Sequence, residues 1–211
     1  LCLGINYADH AAESAKFSDT FRKAEPVPVY FSKRVAEAAH PDEAIPSYPG
    51  LVEKLDYEVE LAVILGKTIK DCPVEDVPAA IFGYTILNDM SARDLQTRHT
   101  QWYRGKSLDK FTPMGPCIVT ADEIPWPVRL DIRCYVNGEL RQHSNTAQLI
   151  TGIAEALSMF SQGTTLLAGS ILATGTPSGV GMGFDPPRFL HPGDEVLCEI
   201  EKIGQLRNTI G

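Results

Sequence analysis

The sequence lacks the features that mark several large classes of protein. No apolar stretch is long enough to span a bilayer, and no charged-then-apolar segment with a cleavage site opens the chain. Its basic residues form no long run and the net charge is -8, so a nucleic-acid partner is not expected. The five cysteines are scattered, odd in number and without a Cys-x-x-Cys pair, which argues against a zinc site and a disulfide framework. We therefore expect a cytoplasmic protein with reduced cysteines and no membrane partner.

The length and the order of segments predict one domain over residues 1–211. The chain opens at Leu1 inside an apolar run, so we expect further residues upstream of it. The polar segment 14–28 separates the first predicted strand from the next apolar residues, and it is interpreted as a mobile connection or lid.

Short predicted strands outnumber helices along the chain. Asn137-Gly138 between two alternating segments is typical of a β-hairpin. Apolar spacing over residues 148–160 predicts a helix, with possible capping residues at 144–146. These elements predict an α+β fold of rolled, mainly antiparallel β-sheets with few flanking helices.

Two glutamates interrupt a segment that otherwise resembles a buried strand. Residues 55–65 are apolar at every position from Leu61 onward, as in a strand covered on both faces. Glu58 and Glu60 are two residues apart, so their side chains project to the same side. Neighbouring buried carboxylates repel each other unless a proton or a cation neutralises them, and a hard divalent cation prefers oxygen ligands. The alternative is a strand end whose glutamates face solvent.

A third acid follows a second predicted strand. Residues 79–89 are interpreted as a short helix that turns through Gly83 into a strand ending at Asp89. Loops at the ends of strands commonly carry functional sites, and Asp89 would complete a three-carboxylate face for one metal ion. Asn-Asp pairs are also common in plain turns, so spacing alone leaves both interpretations open.

The sequence resembles the fumarylacetoacetate hydrolase superfamily, in its bacterial catabolic branch related to acylpyruvases and oxaloacetate decarboxylases. The resemblance extends over almost the whole chain, and its motifs occur in the order found in the family. These motifs are residues 4–10 (GINYADH), 56–61 (DYEVEL), 88–96 (NDMSARDLQ), 105–107 (GKS), 113–116 (PMGP), 136–139 (VNGE) and 174–181 (TGTPSGVG). The resemblance implies a distorted β-roll or sandwich with flanking helices, and usually a homodimer.

The resemblance also assigns roles to single residues. His10 and Glu13 would share a face if residues 7–13 begin a helix, although such a pair also suits an ordinary surface helix. Acylpyruvase members carry a His-x-x-Glu dyad at this position on a segment that closes over the substrate, which implies that the pair activates water. Lys106 is the expected catalytic cation, and the expected substrate-binding residues are Lys33, Arg93, Gln96 and Thr176. Trp102 and Tyr103 are interpreted as packing residues.

These observations lead to a specific functional hypothesis. Glu58, Glu60 and Asp89 are expected to hold Mg²⁺ or Mn²⁺, and the substrate is expected to be a small 2-oxo acid. The leading reaction is hydrolytic C–C cleavage of an acylpyruvate such as fumarylpyruvate, with the metal stabilising an enolate. Decarboxylation of oxaloacetate and hydration or isomerisation of 2-hydroxydienoates use the same enol chemistry and remain alternatives. The alternative from another class is a metabolite-binding protein that retains the fold without catalysis.

Overall fold

Most of the regular secondary structure among the described residues consists of short strands arranged in two larger sheets. The computed structural model describes residues 1–14 and 27–211. The lid predicted over residues 14–28 falls mainly on residues 15–26, which lie outside the described residues. Among the described residues, no helix is both long and apolar enough to cross a membrane.

The larger sheet has six strands, which are β1 (Cys2–Gly4), β2 (Val29–Phe31), β5 (Val59–Leu65), β6 (Ile81–Asn88), β8 (Met114–Thr120) and β11 (Ile171–Ala173). Their order across the sheet is β2-β1-β11-β5-β6-β8. Only the β1–β11 pair in this sheet is parallel.

A five-stranded sheet has the order β10-β9-β12-β13-β3, and a third sheet contains only β4 and β7. β5 and β6 of the six-stranded sheet contact β9 and β12 of the five-stranded one, and the main apolar core lies between them. The strands of these two sheets are β3 (Ala44–Ile45), β4 (Leu55–Asp56), β7 (Ser91–Ala92), β9 (Asp131–Val136), β10 (Glu139–Asn145), β12 (Glu195–Ile200) and β13 (Gly204–Ile210).

Helices are few and short among the described residues. The α-helices are α1 (Ala8–Ser14), α2 (Arg93–Arg98), α3 (Tyr103–Lys106) and α4 (Ile153–Ser161), and the 3₁₀ turns are Val74–Ala80, Thr146–Gln148 and Gly181–Gly183. The predicted α+β class with mainly antiparallel sheets is therefore confirmed. The hairpin is also confirmed, because Asn137 and Gly138 join β9 to β10 with φ of 50° and 78°.

Three predicted boundaries were wrong. The strand over residues 55–65 is interrupted because the amides of Tyr57 and Glu58 donate to the side chains of Asp56 and Asn88 instead of to a neighbouring strand. The turn before β6 is a 3₁₀ helix that ends at Ala80, so Gly83 lies within the strand. The helix predicted over residues 148–160 begins only at Ile153.

Candidate active site

Three carboxylates lie close together where β5 begins and β6 ends. Glu58, Glu60 and Asp89 each offer an oxygen, and these atoms all lie within 4.8 Å of one another. The pairing of Val59 with Asn88 sets this arrangement, and the Asp89 amide donates to the Glu58 carbonyl at 2.8 Å. All three residues are buried, and Asp89 is 0% exposed. The structure thus brings together the three acids predicted as metal ligands.

Two buried cations from the α2–α3 region contact this cluster. Lys106 Nζ donates to Glu58 Oε2 at 2.7 Å and to Asp89 Oδ2 at 2.6 Å. Arg93 Nη2 lies 2.7 Å from Glu58 Oε1, and Arg93 Nη1 donates to Gln96 Oε1 at 3.0 Å. Of the residues predicted from the sequence to act on substrate, Arg93 and Lys106 therefore contact the carboxylates directly, and Gln96 is joined to them through Arg93.

The charges of the cluster are unevenly compensated. Burial by itself would raise the pKa of Glu58, but the cations of Lys106 and Arg93 outweigh it and hold that pKa well below its usual value. Burial and the nearby carboxylates of Asp89 and Glu58 raise the pKa of Glu60 well above its usual value. Burial would lower the pKa of Lys106, yet Asp89 and Glu58 raise it, so this ammonium stays protonated. The negative charge on Glu60 is the one left without a cation of its own.

The cluster fits a divalent metal ion. Carboxylate oxygens are the ligands that Mg²⁺ and Mn²⁺ prefer, and each oxygen can accept more than one partner. A cation beside Glu60 would also relieve the repulsion that raises the pKa of this residue. The three acids would hold the ion, while Lys106 and Arg93 would keep their contacts with Glu58.

Helix α1 carries both residues of the predicted His10–Glu13 dyad. His10 Nδ1 and Glu13 Oε2 are 3.0 Å apart, and His10 is 8% exposed. Glu13 Oε1 also accepts a hydrogen bond from the Gly179 amide at 3.1 Å. The hydroxyl of Ser178 donates to Asp9 Oδ2 at 2.8 Å, so the helix is fastened to the glycine-rich loop at two points.

The glycine-rich loop also contacts the carboxylate cluster. The Gly175 amide donates to Glu60 Oε2 at 2.8 Å. The Thr176 hydroxyl donates to the Val59 carbonyl at 2.9 Å and accepts from Gln142 Nε2 at 2.8 Å. In this arrangement the hydroxyl proton of Thr176 is used by Val59, and a contact of Thr176 with substrate stays a prediction.

One cavity of about 340 Å³ collects most of the predicted site residues. Its polar part is formed by His10, Glu13, Glu58, Glu60, Arg93, Gln96, Thr97, His99, Thr100, Lys106 and Thr176. Its apolar part is formed by Leu3, Gly4, Ile5, Phe31, Trp102, Val180 and Met182. Trp102, interpreted from the sequence as a packing residue, thus lines the cavity.

Lys33 takes a different place from the one expected of a substrate ligand. Its Nζ donates to Asp89 Oδ1 at 2.5 Å and to the Phe111 carbonyl at 2.7 Å. It is not among the residues that line the cavity. In this arrangement its ammonium holds Asp89 in position, and a direct contact with substrate stays a prediction.

Asp56 was missed as a functional residue by sequence reasoning. Its carboxylate accepts from Arg93 Nε at 2.8 Å, from the Gly181 amide at 2.7 Å and from the Met182 amide at 3.0 Å. It therefore joins the arginine of the site to the end of the glycine-rich loop. The only signal in the sequence was a buried-type strand with an acid two positions before Glu58.

Comparison with known proteins places this geometry in context. The sequence profile described as "Fumarylacetoacetate (FAA) hydrolase C-terminal" matches residues 1–211. The chain is 45% identical to the oxaloacetate tautomerase YisK of Bacillus subtilis, over 100% of the chain and 69% of that protein. It is 43% identical to the mitochondrial oxaloacetate tautomerase Fahd2a of Rattus norvegicus, over 100% of the chain and 65% of that protein. The chain thus spans about two thirds of the length of these curated relatives.

Two solved structures share the fold at substantial sequence identity. A fumarylacetoacetate hydrolase from Exiguobacterium antarcticum superposes with a TM-score of 0.87 at 42% identity, covering 99% of the chain and 73% of that structure. The fumarylpyruvate hydrolase of Pseudomonas aeruginosa, solved in complex with Mn²⁺ and pyruvate, gives a TM-score of 0.84 at 32% identity, covering 99% and 87%.

Proposed function

We propose that this chain, which belongs to the fumarylacetoacetate hydrolase family of enzymes, catalyses keto–enol exchange of oxaloacetate or a similar short 2-oxo acid in the presence of Mg²⁺ or Mn²⁺. The observation that carries the proposal is a cavity lined by Glu58 and Glu60, two buried cations and a histidine–glutamate pair, with the third carboxylate, Asp89, buried directly behind Lys106. Two relatives named oxaloacetate tautomerases, each above 40% identity, support this reaction over the hydrolysis expected first.

The cations of the site are suited to charge stabilisation and not to proton abstraction. The pKa values of Lys106 and Arg93 are raised by the carboxylates around them, which outweigh the opposing effect of burial. Both side chains remain charged and can stabilise the carboxylate and enolate oxygens of a 2-oxo acid. A bound divalent metal would act there as a Lewis acid that favours the enolate.

His10 is the residue best placed to move a proton. The Glu13 carboxylate beside Nδ1 favours the tautomer protonated at that nitrogen, which leaves Nε2 as the basic atom. The imidazole can take a proton from C3 of the substrate and return one to the 2-oxo oxygen. The C3–H bond that breaks is then balanced by the O–H bond that forms.

A second reaction is favoured by the same dyad. A histidine oriented by a carboxylate can activate water, and water attack on an acylpyruvate would give the hydrolysis expected from the sequence. A structural relative named fumarylpyruvate hydrolase supports this candidate. Decarboxylation of oxaloacetate needs no water and depends mainly on stabilisation of the enolate.

A panel of substrates tests these candidates. Rates with Mg²⁺ and with Mn²⁺ would be measured for oxaloacetate tautomerisation, oxaloacetate decarboxylation, and hydrolysis of acetylpyruvate and fumarylpyruvate. We expect His10→Ala to reduce tautomerisation and hydrolysis by roughly 10² to 10⁴, and decarboxylation less. His40→Ala is the matched control, because the His40 side chain is 76% exposed and lies outside the site.

The possible outcomes separate the hypotheses. Full activity of His10→Ala would remove the dyad from the mechanism. Tautomerisation without hydrolysis would select the first candidate, and hydrolysis without tautomerisation the second. Binding of oxalate without turnover of any substrate would favour a metabolite-binding protein.

A further inference from the structure

We infer that Trp102 and Phe31 form an apolar wall of the cavity, which extends the ligands of the site from short 2-oxo acids such as oxaloacetate to 2-oxo acids with an apolar substituent at C4. This inference rests on the proposed function, since it assumes that the carboxyl and 2-oxo groups of the ligand bind beside the buried carboxylates. It assigns to Trp102 a role in substrate selection that its sequence context did not indicate.

The size of the cavity is the first observation. About 340 Å³ lies within the range of roughly 300 to 1,000 Å³ that is typical of sites for larger organic ligands. A four-carbon acid such as oxaloacetate fills only part of this space. The rest of the cavity is bordered mainly by apolar side chains, including Leu3, Val180 and Met182.

The aromatic side chains of Phe31 and Trp102 lie next to the charged part of the cavity. Lys106 Nζ, which contacts two of the carboxylates, lies 5.6 Å from the centroid of the Phe31 ring. The ring of Phe31 meets that of Trp102 edge-on, with centroids 5.3 Å apart and an interplanar angle of 76°. A ligand whose carboxylate lies near Lys106 would therefore pass its next carbons along Phe31 and then Trp102.

Gly4 fixes the position of the Trp102 ring. A Cβ atom at Gly4 would lie 2.3 Å from Trp102 Cζ3 and 2.8 Å from Cη2, which is closer than atoms can approach. The indole therefore lies directly against the backbone of β1, and any side chain at position 4 would push it away. Both residues line the cavity, so such a shift would change the space next to the ligand.

The inference predicts that the two ends of a ligand are recognised separately. Aromatic side chains bury large apolar areas and favour contact with other rings. A ligand with an apolar substituent at C4 should therefore bind more tightly because of Trp102, whereas binding of the acid end should not depend on this residue. Loss of the indole should cost a phenyl-bearing ligand about 10-fold or more in affinity, a common size for a missing apolar contact.

Calorimetric titration with a matched pair of ligands tests the inference. The pair is 2-oxobutanoate and 2-oxo-4-phenylbutanoate, titrated with excess Mg²⁺; neither contains the 2,4-dioxo unit that hydrolysis requires. We expect the wild type to prefer the phenyl ligand, and Trp102→Ala to lose that preference while its affinity for 2-oxobutanoate stays within about 2-fold. Gly4→Ala and Trp102→Phe should reduce the preference less, and they serve if Trp102→Ala fails to fold.

Trp126 provides the control and a second measurement. It is 43% exposed and is the other of the two tryptophans in the chain, so Trp126→Phe should leave the preference unchanged. In that variant Trp102 is the sole indole, and its fluorescence should respond more to the phenyl ligand than to 2-oxobutanoate.

Failure of the inference differs from failure of the proposed function. An unchanged preference in Trp102→Ala, or equal loss of both ligands, would overturn the role of Trp102 while metal-dependent binding of 2-oxobutanoate still supports the proposed function. A wild-type protein that binds neither ligand would overturn both.

Discussion

At the scale of single residues, the folded protein disfavours the charged form of the Glu60 carboxylate. Its pKa is raised well above the usual value by burial and by the Asp89 and Glu58 carboxylates, so the unfolded chain releases this proton at lower pH than the folded one. The free energy of unfolding of the metal-free protein should therefore fall as pH rises from the usual carboxyl range through the raised pKa. Glu60→Gln should remove this part of the fall, as measured by denaturant melts in EDTA between about pH 5 and pH 8.

The control for this experiment is an exposed glutamate. Glu123→Gln changes the same chemical group on the surface, so its melts should follow the wild type at each pH. A pH dependence of the Glu60→Gln protein equal to that of the wild type would show that Glu60 does not carry the unfavourable charge.

Asp56 is expected to stabilise the site through Arg93. Asp56→Ala would leave the buried Nε of Arg93 and the Gly181 and Met182 amides without their acceptor. Removing one partner of a buried ion pair typically costs about 3–5 kcal/mol, and urea unfolding should show a loss of this size. Asp109→Ala, at a side chain 73% exposed, should stay within about 0.5 kcal/mol. Equal stability of the two variants would contradict the assignment.

The residues that could be predicted from the sequence are those whose neighbours are close in the chain or match a family motif. Alternation along the predicted strand placed Glu58 and Glu60 on one side, and the structure brings them together although Glu58 lies just before β5. Asp56 could not be recognised, because its partners Gly181 and Met182 are 125 and 126 residues away. The contact of Lys33 with Asp89 spans 56 residues and was missed for the same reason.

At the scale of elements, helix α1 should depend on its attachment to the glycine-rich loop. Ser178→Ala removes the hydrogen bond to Asp9 but leaves the Gly179 amide bonded to Glu13. We expect faster amide hydrogen exchange in residues 8–14 and a lower kcat, because His10 would be held less firmly. Oxalate, a flat dianion that resembles an enol-pyruvate, should restore part of the protection. Exchange rates identical to those of the wild type would show that this hydrogen bond does not hold the helix.

The error at helix α4 shows where elements escape sequence reasoning. Residues 149–152 continue the apolar spacing of a helix, but the amides of Ile150 and Thr151 donate to the carbonyl and side chain of Asn6. These hydrogen bonds join residues about 145 positions apart in the chain. They take the place of hydrogen bonds within a helix, so helix α4 begins only at Ile153. The spacing of apolar residues shows which face of a segment can be buried. It does not show whether the backbone amides of that segment will bond within a helix or to an acceptor far away in the chain.

For the whole molecule, a divalent metal should raise thermal stability. A ligand that binds only the native state at a hundredfold excess over its Kd stabilises by about 2.7 kcal/mol. For a chain of this length that corresponds to roughly 5 to 10 °C in Tm. The comparison is between melting curves in EDTA and in excess Mg²⁺ or Mn²⁺, with Asp89→Asn as the variant that should lose most of the shift. Superimposable curves for the wild type would contradict the metal site.

The parallel pairing of β1 with β11 has a consequence for synthesis of the protein. Cys2 lies beside Ala173, so β1 cannot form this pair until residues some 170 positions later have been synthesised. The loop that contacts Glu60, from Gly175 onward, leaves the ribosome later still. A nascent chain arrested before this point holds all three carboxylates but neither the strand nor the loop that encloses them. Metal binding should therefore appear late in synthesis, and chains truncated before Gly175 should fail to bind the Mg²⁺ that the full chain binds.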